Sequence, residues 1–233
     1  METKNNTNID NWLLYSALGR EILAKERTFY AKNIEHIFGK YSLQIGLPEI
    51  SLFQGNKIVN HFHLDVDIFC KANYLPFDEN SIDLIIMPHF LELHNDYIHI
   101  LDEVYRILAP NGVVIISCFN SHSILKICKK SQKRLQKVNF INLNSLKDEL
   151  IERKLAIIGG KFFSYCPPFR KSSKVRKFNF INKIGDRWLP TFANSYTLIC
   201  RKNVTNIKLI DSKKTKQITN QEVKVVIECL KYS

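Results

Sequence analysis

An α/β fold built on a largely parallel sheet is predicted by three adjoining features of residues 75 to 120. Leu84 to Met87 is a short apolar run, as expected of a strand buried on both faces of a parallel sheet. Pro88 then removes a backbone donor, so the ladder should end at or near it. Leu101, Val104, Tyr105 and Leu108 fall at i, i+3, i+4 and i+7, one apolar stripe of a helix, and Ala109-Pro110-Asn111-Gly112 closes that helix with a turn. Val113 to Ser117 is a second β-branched run. Strand, helix and strand make a βαβ unit, which is almost always right-handed.

The stretch LPFDENSIDLIIMPHFLE, followed by LDEVYRILAPNGVVIIS, closely resembles the class I S-adenosylmethionine-dependent methyltransferases, in the subgroup called methyltransferase type 11. The resemblance is specific over residues 75 to 120 and looser over 17 to 205. It implies a Rossmann-like methyltransferase sheet, mostly parallel with an antiparallel last strand and helices on both faces. In that sheet the conspicuous stretch supplies the fourth strand, the next helix and the fifth strand. It also implies S-adenosyl-L-methionine as cofactor, although a fold implies an architecture more firmly than an activity.

Length and composition agree with one main domain. The 233 residues, 45% of them hydrophobic, suit a methyltransferase-like α/β domain over 17–205, with an N-terminal tail (1–16) and a basic C-terminal extension (206–233). METKNNTNID has no apolar signal core, and no apolar run approaches the ~20 residues of a membrane span, so a cytoplasmic protein is expected. Six cysteines lie scattered without a CxxC pair or a histidine cluster, which points to free thiols and no metal.

Charge is unevenly divided. Residues 1–120 hold 9 Lys+Arg against 15 Asp+Glu, whereas residues 121–233 hold 25 against 7. A basic half of that kind suits an acidic partner such as RNA, a phosphorylated compound or a lipid headgroup; solubility or compositional drift toward Lys and Asn is the alternative.

Along the chain, residues 17 to 38 read as a helix stopped by Gly39. The resemblance puts the cofactor loop in YSLQIGLPEI (41–50), with Gly46 and Leu47 against the methionine part of the cofactor. Pro48 and Ile50 stand where the family has further glycines, and Pro48 has no N–H to offer. Asp65, nineteen residues beyond Gly46, or Asp67 then serves the ribose hydroxyls. Lys71 occupies the place of an acid that accepts from the adenine amino group in the family; a lysine only donates, so Asn73 or a backbone carbonyl is the substitute. Leu75, Pro88 and His89 complete the implied cofactor contacts.

At the end of the strand closed by Pro88, His89, Glu92 and His94 cluster where ligands collect in open α/β sheets. His89 is the first candidate for a catalytic base and Glu92 the second; the other reading makes His89 a hydrogen-bonding residue beneath the cofactor. Residues 121–138 (SHSILKICKKSQKRLQKV) read as one basic amphipathic helix, with Lys126, Lys129, Lys130, Lys133, Arg134 and Lys137 along one side as the substrate or acidic-partner surface, or simply as a solvated face. Asn144-Ser145 caps a further helix, and Leu155 to Tyr165 is a long strand bent at Gly159-Gly160. Residues 167–190 form a basic, Phe-rich insertion, and Ser195 to Arg201 the final strand.

Two functions follow: a methyltransferase working mainly by positioning, or a catalytically weakened module of that fold that binds nucleic acid or another acidic partner through its basic half.

Overall fold

The computed structural model describes residues 7–168 and 190–203. The chain divides into two units, 1–203 and 204–233. The second unit, and with it the C-terminal extension read from the sequence, lies outside the described residues, as do residues 169–189 of the basic insertion.

The elements run α1 (Thr7–Tyr15), α2 (Ala17–Ile34), β1 (Tyr41–Gln44), β2 (Asn60–His63), β3 (Ile82–Pro88), α3 (Tyr97–Ile107), β4 (Leu108–Phe119), α4 (Ile124–Ile127), α5 (Leu143–Glu152), β5 (Leu155–Phe163) and β6 (Ser195–Lys202). They form one six-stranded sheet in the order β2-β1-β3-β4-β6-β5. β2, β1, β3 and β4 are mutually parallel, and β6 is antiparallel to both β4 and β5. The expected mostly parallel sheet with an antiparallel last strand is therefore present.

Period-two alternation divides the core between two faces. Leu84, Ile86, Val113, Ile115 and Ile199 meet Tyr30 and Ile34 of α2 on one face. Ile85, Met87, Val114, Ile116 and Leu198 meet Ile100, Leu101, Val104 and Ile107 of α3, with Leu146 and Leu150 of α5, on the other. The strands β3 and β4 read as continuous apolar runs because they are covered on both sides.

The crossovers beside β2 are unusual. Parallel strands are ordinarily joined through a helix, but residues 45–59 and 64–81 contain none. Irregular chain takes over that packing: Leu52, Phe53 and Ile58 join the α2 face, while Leu64, Ala72 and Leu75 join the α3 face.

Four local readings change. The segment 1–16, read as a tail, contains α1, whose Ile9, Trp12 and Leu13 are buried. The basic helix over 121–138 is not continuous: α4 ends at Ile127, and 3₁₀ turns follow at Cys128–Ser131 and Lys133–Leu135. The cap of α5 is Asn142, whose side chain accepts from Asn144 N (2.8 Å) and Ser145 N (3.3 Å), so Asn144 and Ser145 are already inside the helix. Finally, Ala109 to Gly112 loops out within β4: Leu108 pairs with Ile82, and pairing resumes at Val113 with Leu84. The bend read at Gly159-Gly160 is present as a register shift between Ile157 and Gly159.

The elbow between α1 and α2 depends on Gly19. A Cβ there would drive into the Trp12 carbonyl and lie 2.7 Å from Leu13 Cα, both of them backbone. Gly19→Ala is expected to lower stability by about 1–3 kcal/mol, the usual cost of overpacking, seen as a lower denaturant midpoint. An unchanged midpoint would mean that α1 is not held against α2 as described.

Candidate functional site

In a parallel sheet, ligands settle outside the carboxyl ends of the strands, where the strand order reverses. Here that point lies between β1 and β3, which are adjacent although β2 intervenes in the sequence.

The loop leaving β1 is wound around a single side chain. Gln44, the last residue of β1, is buried; its Nε2 donates to the carbonyls of Gly46 (3.0 Å), Leu47 (3.1 Å) and Ile50 (2.8 Å), while its Oε1 accepts from Leu52 N (2.9 Å). With the carbonyls turned inward, Gly46 and Leu47 both take positive φ, +102° and +50°. No hydrogen bond from either N–H is present among the described residues. A Cβ on Gly46 would lie 3.0 Å from the Pro88 carbonyl and 3.2 Å from Phe90 Cβ, so glycine is required for the close approach to the end of β3 as well as for its φ.

Beyond β3, His89 is fully buried between two carboxylates. Its Nδ1 lies 2.9 Å from Glu92 Oε1, and its Nε2 lies 3.1 Å from Glu26 Oε2. Both nitrogens facing carboxylates is the pattern of an imidazolium donating twice. Burial alone would depress the His89 pKa, but Glu26 and then Glu92 outweigh it and hold it up at about 10. The carboxylates have further donors: Ser195 Oγ to Glu26 Oε1 (2.8 Å) and Phe119 N to Glu92 Oε1 (2.6 Å). This network ties α2, the end of β3, the end of β4 and the start of β6 together, and it leaves neither His89 nitrogen facing the crevice.

The other candidates are distributed as follows. Asp65 is half-buried at the end of β2 with φ +67°; burial raises its pKa while His94 opposes the rise. Asp67 is exposed and accepts from His63 N (2.8 Å). Of the two acids, Asp65 is the one near His94, whose ring packs on Phe90 (centroids 4.6 Å apart) and whose buried Nε2 has no hydrogen-bond partner. Burial lowers the His94 pKa, against the pull of Asp65. Asn73 and Lys71 are exposed. Leu75 is buried, but its N–H donates to Glu103 Oε1 (2.7 Å) and its carbonyl accepts from Arg106 (3.1 Å), so its backbone is spent on α3.

Among the basic residues, Lys126, Lys130, Lys133, Arg134 and Lys137 are exposed. Lys129 is half-buried, and its ammonium turns back to the Val138 carbonyl (2.7 Å). The six do not share one helical face, because α4 ends at Ile127 and two separate 3₁₀ turns follow it.

Above the crevice, α1 forms a roof. Ile9, Trp12 and Leu13 pack with Leu47 from the β1 loop, Phe119 from the end of β4, and Leu135, Val138 and Phe140 beyond it. Glu26 of α2, Gln44 of β1 and Asp10 of α1 were not singled out by sequence reasoning. The one legible hint was Gln44, a polar residue closing a strand two positions before Gly46.

Among known proteins, residues 54–116 match the family model described as a methyltransferase domain. The chain is 29% identical over 62 residues to the mouse mitochondrial arginine-hydroxylase NDUFAF5, and 26% identical over 119 residues to an uncharacterized protein of Methanocaldococcus jannaschii. Those matches take in 27% and 46% of this chain; it spans 18% of the first relative's length and about half (52%) of the second's. A SAM-dependent methyltransferase from Archaeoglobus fulgidus superposes with a TM-score of 0.58 at 16% identity, over 78% of this chain and 94% of that one. The architecture is thus that of the class I methyltransferase fold, and residues 54–116 within it match the methyltransferase-domain model.

Proposed function

We propose that the crevice at the carboxyl ends of β1, β2 and β3 binds S-adenosylmethionine and that the chain transfers its methyl group to an acceptor. The observation that carries this reading is the convergence of unsatisfied polar groups at the strand-order reversal: the N–H groups of Gly46 and Leu47 and Nε2 of His94. The likeness to an S-adenosylmethionine-dependent enzyme supports it.

The residues present fit an adenosylated amino acid. Gly46 and Leu47 would offer their N–H groups to its carboxylate, and Asp65 would accept from the ribose hydroxyls. His94, its ring packed at a tilt on Phe90, brings a buried ring nitrogen beside Asp65. Toward the adenine, the exposed Asn73 is the available side chain, since the Leu75 backbone is engaged by Glu103 and Arg106. When bound, the cofactor supplies an electrophilic methyl group on a sulfonium.

The chain's own contribution is alignment and exclusion of water. Trp12 and Leu13 of α1, which share one apolar cluster with Leu47 and Phe119, would cover the bound cofactor. In this reading His89 and Glu92 are positioning residues. They join the ends of β3 and β4 through Phe119 N and so fix the distance between cofactor loop and acceptor wall.

Titration with S-adenosylhomocysteine tests the reading. At a concentration ~100 times the dissociation constant, bound ligand adds ~2.7 kcal/mol, a rise in Tm of roughly 5–10 °C for a domain of this size. No heat of binding and no change in Tm at millimolar ligand would sink it.

A further inference from the structure

The α1 turn over the crevice carries a carboxylate that no hydrogen-bond donor among the described residues meets. Asp10, in the first turn of α1, is only 5% exposed. No hydrogen bond or ion pair reaches its side chain among the described residues. Its helix neighbours Ile9 and Leu13 pack on Leu47 and Phe119, which places this turn over the β1 loop and the end of β4. The charged groups acting on it are Glu49 beyond the loop, Asp65 at the end of β2, and His89. Two of the three repel it, and the third already donates both its ring hydrogens to Glu26 and Glu92. Gln44, the polar residue at the end of β1, is neutral and spends its amide on the loop. A buried carboxylate flanked by two others is costly unless a cation meets it.

We propose that Asp10 receives an ammonium group of the ligand, brought either by the amino-acid end of the cofactor or by an amine acceptor. This rests on the reading that the crevice takes S-adenosylmethionine. An ammonium suits the position because it offsets the repulsion from Glu49 and Asp65 and brings N–H donors to an oxygen that lacks them. The N-terminal helix thereby becomes part of the binding surface, and a cofactor loop poor in glycine is supplemented from above. Burial, and after it Glu49, raise the Asp10 pKa to about 7. A bound cation stabilises the ionised form, so binding releases a proton near neutrality and weakens as the pH falls below that value.

Calorimetry on the full chain and its Asp10→Asn variant tests this, with S-adenosylhomocysteine and with 5′-methylthioadenosine, which lacks the amino-acid end. The variant should bind S-adenosylhomocysteine roughly tenfold or more weakly, as when a charge-assisted hydrogen bond is lost, and 5′-methylthioadenosine equally well. Wild-type affinity for S-adenosylhomocysteine should fall between pH 8 and pH 6, and the variant's should not. That outcome makes the cofactor the source of the ammonium. If S-adenosylhomocysteine binds both proteins alike, but methylammonium stabilises only the wild type once it is loaded, the acceptor is the source. Equal behaviour of both proteins toward both probes overturns the inference and leaves the proposed function standing. A wild type that binds neither nucleoside overturns the proposed function itself. Without ligand at pH 8, the variant should melt no lower than the wild type; a lower Tm would make Asp10 a structural residue and also overturn the inference.

Discussion

Replacing His89 with leucine is expected to lower the unfolding free energy by about 3–5 kcal/mol, because it leaves Glu26 and Glu92 buried without the cation between them. In the wild type the pH dependence follows from a folded pKa of about 10 against an ordinary value of 6.5. A raised pKa gives stability that is fully present below pH 6.5 and is lost as the pH rises through about 10. Urea unfolding at pH 6, 8 and 10 should show a decline that His89→Leu lacks. Changing Glu26 and Glu92 to glutamine in the leucine variant should recover part of the loss. Equal stability of wild type and His89→Leu at pH 7 would show that the network is not ionic.

Replacing Gln44 with leucine should cost roughly 3 kcal/mol or more, since a buried group left without its partner costs about 1–3 kcal/mol. Three carbonyls and the Leu52 N–H depend on this one side chain. Gln44→Glu keeps the shape but cannot donate to a carbonyl, so it should be destabilised too. If glutamate is tolerated and leucine is not, packing rather than hydrogen bonding organises the loop. Both variants should also lose affinity for S-adenosylhomocysteine, because the positive φ of Gly46 and Leu47 depends on the carbonyls turning inward.

The parts of the fold that were legible in the sequence are those whose signal is local. β3, α3 and β4 show as apolar runs and a 3.6-residue stripe, and β6 as an apolar strand, because each is buried by contacts that repeat along its own length. The broken basic segment was not legible for the opposite reason. Its buried residues, Leu125, Leu135 and Val138, are spaced by the surface they reach, and Trp12 of α1 donates to Gln132 (3.2 Å) where the chain turns. Only tertiary packing supplies that information. Within the candidate site, Gly46 was suggested by the resemblance and Asp65 by its distance of nineteen residues beyond it. The pairing of His89 with Glu26 could not, since the two lie 63 residues apart and neither has a sequence pattern that points to the other.

The helix-free crossovers around β2 also bear on the timing of local opening. β2 is a four-residue edge strand with one exposed and three half-buried positions, and its two connections make no i to i−4 ladder of their own. β4, by contrast, is paired on both sides and is buried from Val113 to Phe119. Amide hydrogens of β2 should therefore exchange through small fluctuations, and those of β4 only through global unfolding. A ligand reaching Asp65 would then stiffen the least protected edge of the sheet, and part of its intrinsic affinity would be spent on that ordering.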